Sequence, residues 1–225
     1  DHRDLHSFPT RRSSDLEIYS DAQAGFWEYG PAGVSLKNKF LELWRRELLR
    51  RDKMIEIDGS QIMSSSVFEA SGHLTSFADP IVRCTKCKST HRADRIIAEL
   101  AKIEIPESAD LEEFDKVITE KNIKCPKCNG NFENTKKFNM MFQVGIGPEG
   151  EPAYLRPETC QSIFVDFPRL FKTMRGKLPL GIAQTGKSFR NEIAPRQSLL
   201  RLREFYQAEI EVFRSEEHTS ELQSQ

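Results

Sequence analysis

Apolar and polar residues follow a helical period near the start of the chain. Between residues 34 and 49 apolar side chains recur at helical spacing, and lysine and arginine fill the other face. The apolar positions are Val34, Leu36, Phe40, Leu43, Trp44 and Leu48. This pattern predicts a long amphipathic helix. The turn-forming run Gly30-Pro31-Ala32-Gly33 precedes it, and alternation at residues 54–57 predicts a strand after it.

The second half of the chain is predicted to be mostly sheet. Strand signals occur at residues 138–144, 178–184, 188–192 and 202–213. A helix is predicted over residues 162–172, in which Pro168 should bend or interrupt the backbone. The polar segment 69–73 is predicted to be a loop.

Residues 84–128 carry two short helical patterns, at 95–103 and 111–122, between two pairs of cysteines. We interpret this segment as an insertion. Its cysteines are Cys84, Cys87, Cys125 and Cys128. Each Cys-x-x-Cys places two thiolates on a tight turn, where both can reach one tetrahedral ion at about 2.3 Å. The pattern predicts a closed, structural Zn²⁺ site; four unrelated buried thiols and a redox dithiol are the alternatives.

The two ends of the chain are polar and rich in serine, and they show neither a helical nor a strand period. Residues 1–16 and 214–225 resemble translated sequencing-library adapters, so we interpret both as artefactual tails to be left out of fold reasoning. A basic tail and a frayed helix are the alternatives. The remaining residues, 17–213, are interpreted as a partial domain that contains the insertion.

Charge and hydropathy exclude several classes of function. The 33 basic and 34 acidic residues nearly cancel, unlike the strongly basic surface of a dedicated nucleic-acid coat. We therefore expect any RNA contact to be local, and no DNA partner. The chain has no run of about 18 apolar residues and no apolar signal core, which predicts a cytoplasmic protein without a membrane partner.

The candidate chemistry lies in residues 189–211, which are predicted to form a hairpin. Side-chain parity places Arg190 and Glu192 on one face of the first strand. On the second strand, the same face should carry Arg203, Phe205, Gln207, Glu209 and Glu211. The opposite face is expected to pack against the core and carries Tyr206, Ala208, Ile210 and Val212. The charged face is either an ordinary solvated surface or a site that binds a nucleotide and an amine.

Several segments resemble one family. Residues 189–211, FRNEIAPRQSLLRLREFYQAEIE, resemble motif 2 of class II aminoacyl-tRNA synthetases in its glycyl form. Residues 30–33 with the following helix and strand are similar to motif 1. Residues 154–159 match the Arg-Pro-Glu-Thr signature of the glycyl family, and residues 69–73 with Phe77 and Asp79 resemble its Ser-Gly-His segment. The resemblance covers residues 17–213 and implies an α+β fold: a class II synthetase-like, mainly antiparallel sheet flanked by helices, with the four-cysteine, zinc-ribbon-like insertion.

The resemblance also implies roles for individual residues. The catalytic Arg190 would bind the α-phosphate of ATP and stabilise developing charge. Glu192 would meet the adenine amino group, and Phe205 would stack on the ring. The expected ATP-binding set is Arg190, Asn191, Glu192, Leu200, Arg201, Leu202, Arg203, Glu204 and Phe205. Mg²⁺ would accompany the triphosphate and orient the leaving pyrophosphate.

Glycine recognition is also implied by the resemblance. Two carboxylates, on Glu158 and Glu209, would bind the glycine ammonium, with Arg92 nearby. The expected glycine-binding set is Arg92, Glu158, Phe205, Tyr206, Gln207, Ala208 and Glu209. The alternatives are a surface position for Glu158 and a salt bridge from Arg92 to Asp94. Cys160-Gln161-Ser162 replaces the family's usual Ala-Gln-Gly, and Cys160 is interpreted as a small packed residue.

The implied activity is ATP-dependent activation of glycine and its transfer to tRNA(Gly). In this family motif 3 and the anticodon-binding domain lie beyond the position of Phe213, so this chain by itself is not expected to aminoacylate. Motif 1 implies a homodimer. The alternatives are a class II synthetase of another specificity, a non-catalytic RNA- or protein-binding relative, and a free-standing zinc-ribbon module.

Overall fold

A computed structural model describes residues 10–12, 25–106, 108–193, 195 and 198–215 of the chain. The elements in chain order are β1 (Thr10–Arg12), β2 (Trp27–Tyr29), α1 (Pro31–Trp44), β3 (Ile55–Ile57), β4 (Ile62–Ser64), α2 (Ser65–Ala70), α3 (His73–Ser76), β5 (Ala78–Arg83), β6 (Thr90–Arg92), α4 (Ala93–Ala101), α5 (Leu111–Glu120), β7 (Lys136–Asn139), β8 (Phe142–Ile146), β9 (Glu151–Leu155), α6 (Cys160–Thr173), β10 (Leu180–Phe189) and β11 (Glu204–Phe213). None of the helices within these described ranges is long and apolar enough to cross a bilayer.

The chain divides into two compact units. Residues 1–67, 142–190 and 196–225 form the first unit, and residues 68–141 with 191–195 form the second. The second unit therefore extends beyond the cysteine-bracketed segment 84–128 on both sides.

The first unit is built around a long antiparallel hairpin. β10 and β11 pair along ten residues each, from Leu180 opposite Phe213 to Phe189 opposite Glu204. β3 adds to the other edge of β10 in parallel, and β4, β9 and β8 form a second, antiparallel sheet. The predicted α+β class with mainly antiparallel pairing is confirmed.

Helix α1 also confirms its prediction. It begins at Pro31, whose fixed φ suits the first helical position, and it continues as a π-helical segment, Arg45–Arg50. Its apolar stripe lies on the surface of the described chain, because Leu36 is 65% and Phe40 60% exposed.

The second unit has its own hydrophobic core. β5 lies between β6 and β7, and helices α4 and α5 confirm the two predicted helical patterns. The core residues are Val82, Ala93, Ile96, Ile97, Ile105, Phe114 and Ile123. Since these positions come from both helices and from the sheet, the cysteine-bracketed segment packs on a hydrophobic core.

Four predictions about local structure were wrong. Residues 69–73 contain the end of α2 and the start of α3, with only Ser71 and a left-handed Gly72 between them. The strand predicted at 138–144 is two strands, β7 and β8, whereas those at 178–184 and 188–192 merge into β10. The helix predicted over residues 162–172 is α6, which runs through Pro168 without interruption.

The terminal tails lie outside the described residues, apart from Thr10–Arg12 and residues 214–215. Thr10–Arg12 forms β1 and pairs antiparallel with β2, from Thr10 opposite Tyr29 to Arg12 opposite Trp27. This short strand was not expected, because the segment shows no strand period in its sequence.

Candidate active site

The two faces of the β10–β11 hairpin differ from the prediction. The face of Phe205, Gln207 and Glu209 is the covered one, since Gln184 and Ser188, which lie opposite Glu209 and Phe205, are completely buried. Tyr206 and Val212, on the face expected to pack against the core, are exposed. The physical reason is polar satisfaction: the segment following β9 supplies hydrogen-bond donors to the charged face, so that face can be buried.

Arg190 follows directly on the end of β10. Its amide donates to the carbonyl of Arg203 at 2.9 Å, and its Nε donates to the carbonyl of Pro157 at 3.1 Å. The guanidinium carbon lies 5.3 Å from the centre of the Phe205 ring, within cation–π range. Arg190 and Phe205 therefore lie side by side as predicted, although Arg190 is not itself in a strand.

Glu158 and Glu209 form an acidic pair with Cys160. Glu209 Oε2 accepts from the amide of Thr159 at 2.7 Å and from the Thr159 hydroxyl. Glu158 Oε1 accepts from Gln161 Nε2 at 2.6 Å and from Cys160 Sγ at 3.1 Å. One oxygen of each carboxylate and the Cys160 sulfur lie within 4.8 Å of one another. Two carboxylates this close repel, so the arrangement favours a cation between them.

The negative charge of this pair raises the pKa of two neighbouring groups. Burial raises the pKa of Glu211, and the charges of Glu209 and Glu158 raise it further. Burial, together with a hydrogen bond to Glu158 and the charges of all three glutamates, raises the pKa of Cys160. The thiol therefore stays protonated at neutral pH, which agrees with its interpretation as a packed residue and not as a nucleophile.

The other residues predicted to bind ATP have varied surroundings. Leu200 is largely exposed on a single 3₁₀ turn, Ser198–Leu200. Leu202 is buried, and Arg201 and Arg203 are half-buried. The carboxylate of Glu204 pairs with the ammonium of Lys187. Asn191 and Glu192 belong to the second unit, where the Asn191 amide donates to the Met140 carbonyl at 2.8 Å.

The predicted glycine-binding residues lie on both faces of the hairpin and belong to both units. Gln207 Oε1 accepts from the buried Ser188 hydroxyl at 3.0 Å. Tyr206 lies on the other face, with Lys37 Nζ 4.0 Å from its ring centre, and Ala208 shares that face by strand parity. Arg92 belongs to the second unit.

Arg92 makes the salt bridge that the sequence allowed as an alternative. Its Nε and Nη2 donate to the two carboxylate oxygens of Asp94 at 3.0 and 2.8 Å. Its Nη1 lies 3.1 Å from Asp79 Oδ1. Both partners come from the same unit, and the three side chains form a compact ionic group there.

The four predicted metal ligands converge. Cys84 Sγ lies 3.4 Å from Cys128 Sγ, and Cys87 Sγ lies 3.7 Å from Cys125 Sγ. All four sulfurs lie within 4.8 Å of one another. Tetrahedral coordination at about 2.3 Å requires sulfur separations of about 3.8 Å, so the donor set fits a zinc ion.

Hydrogen bonds favour the thiolate form of two of these cysteines, Cys87 and Cys125. The side chain and amide of Ser89 lower the pKa of Cys87 to about 6. Burial raises the pKa of Cys125, but hydrogen bonds from Ser89 and from the amides of Lys127 and Cys128 outweigh it and bring the pKa to about 7. The hydrogen bond with Cys87 raises the pKa of Cys128 to about 11. The sulfurs thus share charge unequally without a metal, as interacting thiols do.

Several residues that organise these sites were not singled out from the sequence. Thr159 and Arg156 flank Pro157-Glu158 in the Arg-Pro-Glu-Thr signature, and only the glutamate was assigned a role. Ser89 Oγ lies 3.1 Å from Cys87 Sγ and 2.9 Å from His91 Nε2. A hydroxyl two residues after a metal-binding cysteine is too common a pattern to have identified it.

The comparisons with known proteins concern the fold and the family of the chain. A family model described as the tRNA synthetase class II core domain (G, H, P, S and T) matches residues 131–224. A threonyl-tRNA synthetase structure from Cryptosporidium parvum covers 90% of this chain and 35% of its own, with a TM-score of 0.53 and 21% identity. A Giardia lamblia prolyl-tRNA synthetase in complex with prolyl-adenylate covers 88% of this chain and 28% of its own, with a TM-score of 0.50 and 19% identity. The fold is that of a class II aminoacyl-tRNA synthetase core.

Sequence relatives narrow the assignment further. The glycine–tRNA ligase of Methanocaldococcus jannaschii is 47% identical over 201 residues, which are 89% of this chain and 34% of that protein. The glycine–tRNA ligase of Pyrococcus abyssi is 49% identical over 199 residues, 88% of this chain and 34% of that protein. The chain belongs to the glycine–tRNA ligase family, and it spans about a third of the length of these curated relatives.

Proposed function

We propose that this chain supplies the glycine- and ATP-binding part of an enzyme that activates glycine and transfers it to tRNA(Gly). The observation that carries the proposal is the acidic pair Glu158 and Glu209, held on the same covered face as Phe205. Two carboxylates within 4.8 Å suit a small ammonium group. The family assignment supports glycine as the amine.

Activation needs the glycine carboxylate to attack the α-phosphorus of ATP, with pyrophosphate as the leaving group and glycyl-adenylate as the product. Arg190 is the residue we assign to the α-phosphate, because its guanidinium is fixed by the Pro157 carbonyl and by the Phe205 ring. A fixed cation stabilises the charge that develops on the phosphate in the transition state. Phe205 would stack on adenine, and Mg²⁺ bound with ATP would neutralise the triphosphate.

Transfer would follow when a ribose hydroxyl at the end of tRNA(Gly) attacks the activated carbonyl and AMP leaves. The cost of positioning the reactants is met before chemistry, by the hydrogen bonds that hold the acidic pair and the arginine. Glycine has no side chain to contact, so its selection would rest on a filled wall that leaves no room for a methyl group.

The cysteine cluster is the site we propose for a structural Zn²⁺. Cys84, Cys87, Cys125 and Cys128 would supply all four ligands, so no position stays open for a substrate. The ion would join the two Cys-x-x-Cys turns, and it would take no part in the reaction.

We also propose that the complete enzyme is a homodimer that works in the cytoplasm, where tRNA is charged for protein synthesis. The exposed apolar stripe on α1, with Leu36 and Phe40 at its centre, supports a subunit interface through this helix.

Binding of a reaction intermediate analogue tests the proposal directly. The chain would be titrated by calorimetry with the non-hydrolysable sulfamoyl analogue of glycyl-adenylate, and with the alanyl and prolyl analogues for comparison. We expect the glycyl analogue to bind at least about tenfold more tightly than the others. Glu209→Gln should weaken that binding, and Glu151→Gln, at an exposed position on β9, should leave it unchanged.

Catalysis is tested by ATP–pyrophosphate exchange on the chain extended to the full length of its relatives. Exchange should depend on glycine and be lost in Arg190→Met. Exchange that depends on alanine, serine or proline instead, or tighter binding of the prolyl analogue, would show that the specificity is wrong.

A further inference from the structure

Arg156 is the largest completely buried side chain in the described chain, with 1% of its surface exposed. It stands between β9 and α6, directly before Pro157 and Glu158. A buried guanidinium loses several kcal/mol of hydration, so a position of this kind needs a compensating role.

The guanidinium connects three parts of the first unit. Its Nε donates to the carbonyl of Lys187 on β10 at 2.9 Å, and its Nη1 donates to the carbonyl of Gly59 at 3.0 Å. When the Gln184 amide oxygen faces the arginine, it also accepts a hydrogen bond from Nη1 and another from the Gly59 amide at 3.0 Å. The fork therefore holds the 59–60 turn and the centre of β10 against the segment that carries Glu158.

The backbone of Arg156 is held at the same place. Its amide donates to the carbonyl of Gln61 at 2.9 Å, and its carbonyl accepts from the amide of Phe189 at 2.9 Å. Gly186 lies under the guanidinium, and a Cβ there would collide with Nη2. The glycine makes room for the cation on the covered face of the hairpin.

The acceptors of this guanidinium, among the residues that the structure describes, are backbone carbonyls and one amide oxygen. Within this described part of the chain, no salt bridge cancels its charge. Burial lowers the pKa of Arg156, and the charges of Asp58 and Glu209 oppose that shift. The positive charge of Arg156 and the negative charge of Glu209 therefore attract each other. The charged or titratable groups near this cation and the acidic group are Asp58, Glu158, Cys160, Lys187, Arg190, Glu209 and Glu211.

We propose that Arg156 is a positioning residue of the amino-acid site, a buried cation that holds Glu158 and Glu209 side by side and keeps the pair negatively charged. The inference rests on the proposed binding of the glycine ammonium by these carboxylates. Arg156 does not touch the substrate; it acts through the carboxylates and through the Pro157 carbonyl, which accepts from Arg190.

Two substitutions separate the charge of Arg156 from its geometry. Arg156→Met removes both, and Arg156→Lys keeps a cation but loses the planar fork. Arg169→Met is the control, because Arg169 is an exposed arginine on α6 paired with Asp166 at 2.7 Å. The readout is the affinity for the glycyl-adenylate analogue, measured by calorimetry on the whole chain between pH 4 and pH 8.

Arg156→Met should weaken binding roughly 10- to 100-fold and should move the pH midpoint of binding upward, because the carboxylates then hold their protons longer. Arg156→Lys should weaken binding without moving the midpoint, and Arg169→Met should change neither. An unchanged midpoint in folded Arg156→Met would overturn the proposal. If that variant does not fold, Arg156→Lys with full affinity would overturn it.

Failure of the proposed function can be distinguished from failure of the role proposed for Arg156. If the unaltered chain binds no analogue at any pH, glycine activation by this site is wrong. Carbon-detected titration of the side-chain carboxylates in the unaltered chain and in Arg156→Lys and Arg156→Met still tests the arginine. Carboxylate midpoints that rise in the methionine variant and stay in place in the lysine variant support its electrostatic role, and midpoints that do not rise in the methionine variant contradict it.

Discussion

Replacing Arg92 with methionine should destabilise the second unit strongly. The Arg92 side chain is 9% exposed and pairs with Asp79, which is 2% exposed, and with Asp94. Methionine fills much of the same volume but removes the cation. Two carboxylates are then left close together in a poorly hydrated place, with no compensating charge from this position.

The expected cost follows from this geometry. Breaking a buried ion pair by removing one partner typically costs about 3–5 kcal/mol, because the remaining charge is uncompensated. The bidentate contact with Asp94 at 2.8 and 3.0 Å and the contact with Asp79 at 3.1 Å place Arg92 in this class. Since about 1.4 kcal/mol is a tenfold change, opening of the unit should become roughly 10²- to 10⁴-fold more frequent.

Hydrogen exchange followed by mass spectrometry measures this locally. Peptides from α4 and from β5 should lose protection in Arg92→Met at pH 7, and peptides from β10 and β11 report on the first unit as an internal comparison. Arg95→Met is the matched control, because Arg95 lies on α4 but is exposed. Arg95→Met should change the free energy of opening measured by hydrogen exchange by less than about 0.5 kcal/mol.

A decrease of less than about 1 kcal/mol in the free energy of opening of the second unit in Arg92→Met would refute the reasoning. The ionic group would then contribute little to the fold, and its main role would have to be elsewhere, such as the contact with glycine that the sequence suggested. Restored protection in Arg92→Met combined with Asp79→Asn and Asp94→Asn would instead confirm that uncompensated carboxylates cause the loss.

Two further predictions concern the metal cluster and the acidic pair. Cys84→Ser should abolish binding of zinc measured by elemental analysis, whereas Cys160→Ser should keep about one equivalent per chain, because only the first removes one of the four clustered sulfurs; equal zinc in both variants would contradict the assignment. Burial and the charges of Glu209 and Glu158 raise the pKa of Glu211. The protonated Glu211 side chain therefore contributes fully to stability below the ordinary glutamate pKa, and this contribution is lost as the pH rises through the raised pKa. Glu211→Gln should therefore melt at a higher temperature than the unaltered chain at pH 7, with the difference vanishing towards pH 4, and a lower melting temperature at pH 7 would contradict the reasoning.

Local pattern was sufficient for much of the fold. The helix at residues 34–49 and the helices α4 and α5 were predicted from apolar spacing, since apolar residues at this spacing fall on one face of a helix. The doubled Cys-x-x-Cys pattern predicted a four-sulfur cluster, because a metal constrains ligand spacing along the chain. Motif wording identified the family, and side-chain parity correctly grouped Phe205 with Glu209.

Parity could not decide which face of the hairpin is covered. The prediction buried Tyr206 and Val212 because they are apolar, but a sheet covers whichever face receives a partner. Here the partner is the segment from Arg156 to Ser162. Its Thr159 donates hydrogen bonds to Glu209, and its Glu158 lies beside Glu209. That contact links residues about 50 positions apart, and no local pattern carries this information.

Residue spacing within short segments was enough to predict the two cysteine pairs and most of the helices, and resemblance to known motifs implied the fold class and the family. Tertiary contacts decided the rest: Arg92 is neutralised within the second unit, the hairpin face that carries Phe205 and Glu209 is covered, and Arg156 is buried. These outcomes depend on which distant segments meet. Burial, hydrogen-bond satisfaction and charge compensation are properties of that meeting, and they are not properties of any residue alone.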